Sequence, residues 1–207
     1  MSDPNPNVTV TSASPPRNTL MRYVILLAGV AAIILGVRQF RAGMDEIRMD
    51  PEVERLTKEC DSAFHKANEN LRDAAPLLQS VLQAVDNQGL EAVRKARRAD
   101  VDKALGLYTS ATSNLREAAQ KAEDAAAKKP GEKMEQFLKT RAEACRGYAA
   151  SRDLSADVAR MVLDEKILTT AELAQKVTEK MEQANKLEEA ANAKVKEADN
   201  IVESFKK

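Results

Sequence analysis

The chain has 207 residues, with 32 Lys+Arg balanced by 32 Asp+Glu, one histidine, 43% hydrophobic residues and only 3% aromatics. That length holds one ordinary domain with appendages. The cancelled charge excludes the long-range field that steers a protein to nucleic acid or an acidic bilayer, so partners have to be found by local contacts. With no tryptophan, a core must be built from Ala, Leu, Val and Met, which suits closely packed helices.

Residues 1–19 read "MSDPNPNVTVTSASPPRNT", and four of the chain's seven prolines fall in the first sixteen positions. The stretch is polar and has no helical period. It cannot bury enough apolar area to offset ordering entropy and is expected to be a disordered tail.

Residues 20–41 are expected to form a transmembrane anchor helix. Between Arg22 and Arg38 lie fifteen apolar or small residues, "YVILLAGVAAIILGV". A bilayer core of about 30 Å calls for roughly 20 helical residues. Leu20 and Met21 extend the apolar surface, Arg22 and Arg38 can snorkel to opposite headgroup layers, and Tyr23 and Phe40 suit the interface. A cleaved signal peptide is the rival reading, but "GVRQFRAGM" offers no small-x-small cleavage site after the run. Ala28, Ala32 and Gly36 recur every four residues, the spacing that lets two membrane helices approach closely. They form a candidate self-association face, against the plain alternative that small residues are common in such helices. The arginine count taken literally favours a cytoplasmic C-terminal side. A short tail before one anchor commonly stays behind, so the bulk of the chain is expected on the extracytoplasmic side.

Residues 42–50 read as a juxtamembrane linker and residues 51–207 as a helical bundle. Asp50 N-caps a helix with Pro51 in its first turn. An apolar stripe then runs from Val53 through Cys60, Phe64, Leu71 and Leu78 to Val85, in phase on both sides of Pro76, which is expected to bend it. "DNQG" ends it. A second stripe runs from Val93 and Val101 to Ala125 and stops at "KKPG". A third runs from Met134 through Cys145 and Ala149, then slips in phase at Arg152 and Asp153. Thr169 and Glu172 form a capping box that opens a fourth. Helices are thus expected over 51–86, 90–128, 132–166 and 170–206, each a rod of about 50 Å. Matched rods joined by short turns predict an all-α, antiparallel up-down four-helix bundle, with an open coiled coil completed by another chain as the alternative.

Cys60 and Cys145 are the two cysteines, both on apolar stripes. They lie about 14 Å and about 20 Å from the membrane-near ends of their helices, so a disulfide is a candidate in an oxidising compartment. Against it, the first and third helices are diagonal in a square bundle, and cysteine often serves as a small buried hydrophobe. His65, flanked by Asp61 and Glu69, reads as a surface imidazole, since a metal site wants more ligands. No phosphate loop or nucleophile–base pair is present, so no catalysis, cofactor or metal is expected. Arg94, Lys95, Arg97 and Arg98 form the densest basic run. It reads either as a solvated face or as a docking patch for an acidic partner or headgroups, without the aromatics that nucleic acid would need. The partners expected are the lipid bilayer and a protein partner or second copy of the chain. The expected role is a non-enzymatic interaction module, with a sensory ligand-binding bundle as the alternative and an accessory subunit of an envelope enzyme or transporter as a third. An apolar seam, or the slip in the third stripe, would receive the partner helix.

Overall fold

The computed structural model describes residues 50–205. The expected tail, the anchor with its Ala28, Ala32 and Gly36 face, and all of the linker except Asp50 lie outside the described residues. Within them there are five helices and no strand: α1 (Pro51–Gln88), α2 (Leu90–Ala96), α3 (Arg98–Ala127), α4 (Glu132–Leu163) and α5 (Thr170–Glu203).

Local signals explain most of the ends. Asp50 Oδ1 accepts the Glu52 N–H at 2.8 Å and Pro51 follows, which satisfies a donor that the helix itself leaves orphaned. α1 passes through Pro76 without a break and stops at Gly89, whose φ of +86° is a conformation glycine adopts without strain. At the start of α5, Thr169 Oγ1 accepts the Glu172 N–H at 3.1 Å while Glu172 Oε2 accepts the Leu168 N–H at 3.2 Å. Helix order and polarity follow from the charged pairs. Glu52, Glu59 and Ser80 of α1 meet Lys128, Lys121 and Arg97 in turn, so partner numbers fall as α1 numbers rise and α3 runs antiparallel to it. Asp153 and Arg146 pair with Arg116 and Glu123, and Glu143 and Asp157 with Lys194 and Lys180. α3, α4 and α5 therefore alternate as expected for an up-down bundle.

Two expectations are corrected. The second rod is not one helix over 90–128 but two, broken at Arg97 (φ −124°, ψ 21°). Arg97 occupies the place where the stripe between Val93 and Val101 lacks an apolar residue. Its guanidinium reaches sideways instead, to Ser80 O at 2.9 Å and Asp100 Oδ2 at 2.9 Å, and turns α2 into a corner piece. The third rod ends at Leu163 rather than near residue 166. Arg94 Nε donates to Val162 O at 2.7 Å, and its Nη2 donates to Ile167 O at 2.8 Å and to Asp164 O. Those carbonyls are satisfied by a side chain, and a further helical turn is not required.

Extended close backbone approach joins α1 to α3, α3 to α4 and α4 to α5, but not α1 to α5. α4, flanked by α3 and α5 and facing side chains of α1 across the core, is the most enclosed rod. Its buried set includes Thr140, Arg141, Ser151, Arg152 and Ser155 as well as the apolar stripe. α4 and α5 cross closely at Gly147, where an added Cβ would sit 3.0 Å from Ala191 Cβ. A second cluster, which includes Val53, Leu56, Ala125, Phe137, Ala198 and Val202, draws α1, α3, α4 and α5 together at the end where α1 begins.

Candidate functional site

Along the diagonal between α1 and α4, small side chains (Ala63, Ala67, Ala142, Ala149) form one continuous core with Cys60 and Cys145. The two helices run parallel across it. Asp61 pairs with Arg141, and the rings of Phe64 and Tyr148 stand 6.3 Å apart at 59°. The diagonal that opposed contact between the cysteines therefore does not keep them apart. Both are free thiols, 0% and 2% exposed, in the same core cluster, and the Asp61–Arg141 and Phe64–Tyr148 contacts lie beside them on the two helices. The neighbouring Cys145 thiol pulls Cys60 below the usual thiol range. Burial opposes that shift, and the Arg141 charge adds to it. Cys145, beside Cys60 and buried, is raised well above that range.

A second polar centre lies further along α4. Arg152 is 1% exposed and Glu188 of α5 keeps 15% side-chain exposure, with Arg152 Nη2 2.6 Å from Glu188 Oε1. The charges are paired, yet neither Nη2 nor Nε is aligned as a hydrogen bond. The same Oε1 accepts from Ser151 Oγ at 3.0 Å, and the Tyr148 hydroxyl donates to Asn192 Oδ1 at 2.6 Å. On α3, one turn apart, the Tyr108 and Thr112 hydroxyls are buried without a partner. Burial pushes the Tyr108 phenol up to about 12. The slip of the third stripe is thus internal. Ser151, Arg152 and Ser155 are all buried, so it is no open seat for a partner helix. The sequence signal, a charged residue where the stripe should continue, was present and is explained by Glu188 on the facing rod.

The basic run divides. Arg94 and Arg97 turn inward to backbone carbonyls, whereas Lys95 is exposed and Arg98 stays at the surface near Asp102. His65 is exposed beside Glu69, with Nε2 3.4 Å from Oε1. Asp61, its other expected neighbour, belongs to Arg141. Among the described residues no three His, Cys, Asp or Glu side chains gather as a metal site would need, and no helix is long and apolar enough to cross a membrane. No protein-family model, no curated protein and no solved structure matches the chain.

Proposed function

We propose that this protein is a membrane-tethered, non-enzymatic helical bundle that acts as an interaction or scaffolding module at the cell envelope. The observation that carries the reading is the contrast between two surfaces. Among the described residues the only large apolar side chain left exposed is Leu168, at 79%, and the outer faces carry charged pairs three or four residues apart. A surface of that kind has little for lipid to hold, whereas the run from Tyr23 to Val37 carries no charge. Attachment falls to residues 20–41, and the bundle follows on the extracytoplasmic side. The tether raises local concentration, and the Ala28, Ala32 and Gly36 face would pair two copies. Recognition then rests on the outer helix faces and the loop that carries Leu168. A photo-crosslinking residue at position 168, placed in the full chain in its native membrane, should give one discrete adduct. The same residue at exposed His65 on the rod side serves as the comparison. Equal diffuse labelling from both positions would refute a specific module.

A second reading, the ligand-binding sensory bundle, has one observation in its favour. Arg152 Nε and the Tyr108 and Thr112 hydroxyls are buried donors without partners, and such groups suit a small acceptor-rich molecule. Under that reading small carboxylates raise the melting temperature in proportion to the logarithm of their concentration. A melting curve unmoved by them refutes it.

A further inference from the structure

We infer that Cys60 and Cys145 form a redox pair that closes into a disulfide inside the folded bundle, with a small peroxide as the oxidant. The inference is independent of how the chain meets the membrane. Its first support is placement: the chain has two cysteines, they come from different helices, and both are buried in one core cluster beside the cross-helix contacts Asp61–Arg141 and Phe64–Tyr148. Apolar burial alone requires no such meeting. The second is charge. Arg141 lies one turn before Cys145 on α4, is 9% exposed, and is held at the pair by Asp61, the residue next to Cys60. A fixed cation beside a thiol favours the thiolate, which is the nucleophile. The third is access. At 0% and 2% exposure neither sulfur can be reached by the active site of an oxidising enzyme while the bundle stays folded. A peroxide is nearly as small as water and needs only the local openings that a folded bundle samples.

Either sulfur can attack first, and the steps are the same with the two exchanged. Cys60 sulfur attacks one peroxide oxygen; the S–O bond forms, the O–O bond breaks, and the departing hydroxide takes the Cys60 proton and leaves as water. Cys145 sulfur then attacks Cys60 sulfur; the S–S bond forms, the S–O bond breaks, and the second water carries away the Cys145 proton. Two thiols lose two electrons, and one peroxide becomes two waters. The sulfurs have to close to about 2 Å. α1 and α4 share no extended close backbone approach, and a disulfide needs Cα atoms within about 7 Å, so closure draws the two helices together locally and ties the bundle across its diagonal.

The test uses the full chain in detergent, reduced with a phosphine, freed of it, and treated with hydrogen peroxide. Denaturing alkylation and intact mass follow. The untreated chain should take two alkyl groups. The treated chain should take none and weigh about 2 Da less as a monomer. In Cys145→Ser a 1,3-dione should trap a sulfenic acid on Cys60, and in Cys60→Ser one on Cys145. Cys→Ala versions repeat the measurement if either serine variant loses its helical melting transition. Two alkylatable thiols in the peroxide-treated wild type, disulfide-linked dimers as its product, or no dione adduct in either single variant would each overturn the inference.

Discussion

Replacing Arg152 by alanine tests whether the interior of the bundle is held by a paired charge. In the folded chain the guanidinium is 1% exposed and its partner Glu188 is 15% exposed, with 2.6 Å between Nη2 and Oε1. Removing one partner of a buried pair costs about 3–5 kcal/mol, because the other charge is left uncompensated. Glu188 retains some contact with water and keeps the hydrogen bond from Ser151, which places the cost near the lower end, about 3 kcal/mol. Domains of this size have roughly 5–15 kcal/mol of stability in all. A loss of 3 kcal/mol corresponds to a fall in melting temperature of about 6–12 °C. The second arm of the experiment is the double variant Arg152→Leu with Glu188→Leu. It removes both charges and their desolvation cost, and should come within about 1 kcal/mol of the wild type. Urea unfolding followed by helical circular dichroism measures all of these. An Arg152→Ala midpoint indistinguishable from the wild type would mean that the side chain sits in solvent. A double variant no more stable than the single would mean that the pair does not act as a unit.

Four further outcomes follow from other contacts. Gly147→Leu should cost about 1–3 kcal/mol by overpacking, since even a Cβ at this position lies 3.0 Å from Ala191 Cβ; paired chemical denaturation curves measure it. Arg94→Ala removes donors to Val162, Asp164 and Ile167 and should cost about 1–3 kcal/mol, whereas Arg98→Ala should stay within about 0.5 kcal/mol. Equal effects in the unfolding midpoints would contradict the inward and outward division of the basic run. Tyr108 is raised by burial from 10.0 to about 12, so the folded chain holds that proton longer than the unfolded one. Its contribution is complete below pH 10 and lost as pH rises toward 12. Tyr108→Phe should therefore flatten the alkaline decline of stability relative to the wild type, and parallel slopes would refute the assignment. Oxidation of Cys60 and Cys145, which closes a loop of about 85 residues, should raise stability by about 4–5 kcal/mol on a loop-entropy basis. Reduced and oxidised samples unfolding together would contradict that.

The rods were legible because burial in an Ala- and Leu-rich bundle writes a period of three to four residues directly into the chain. Val53, Cys60, Phe64, Leu71, Leu78 and Val85 all point inward as their spacing requires. The caps at Asp50 and Thr169 were legible because they depend on neighbours two or three residues away. Tertiary partners were not, because nothing local specifies them. Arg97 looked like one member of a basic patch until its acceptor on Ser80 was known, and that contact is what divides the second rod. Arg152 looked like a fault in the third stripe because Glu188 lies 36 positions away in the sequence. The thiol pair was visible as two cysteines at similar heights. Their contact depended on how closely alanine-lined diagonals approach, which spacing along one helix does not encode. α4 shows the general limit: a rod with neighbours on three sides buries more of its circumference than one stripe implies.

The most direct test of the proposed tether is partition of the full chain during alkaline carbonate extraction and ultracentrifugation, beside a version in which residues 20–41 are replaced by a polar linker. The intact chain should remain in the membrane pellet, and the replaced chain should move to the supernatant with its helical melting transition retained. An intact chain released by carbonate, or a replaced chain that still pellets with the membrane, would contradict attachment through that segment.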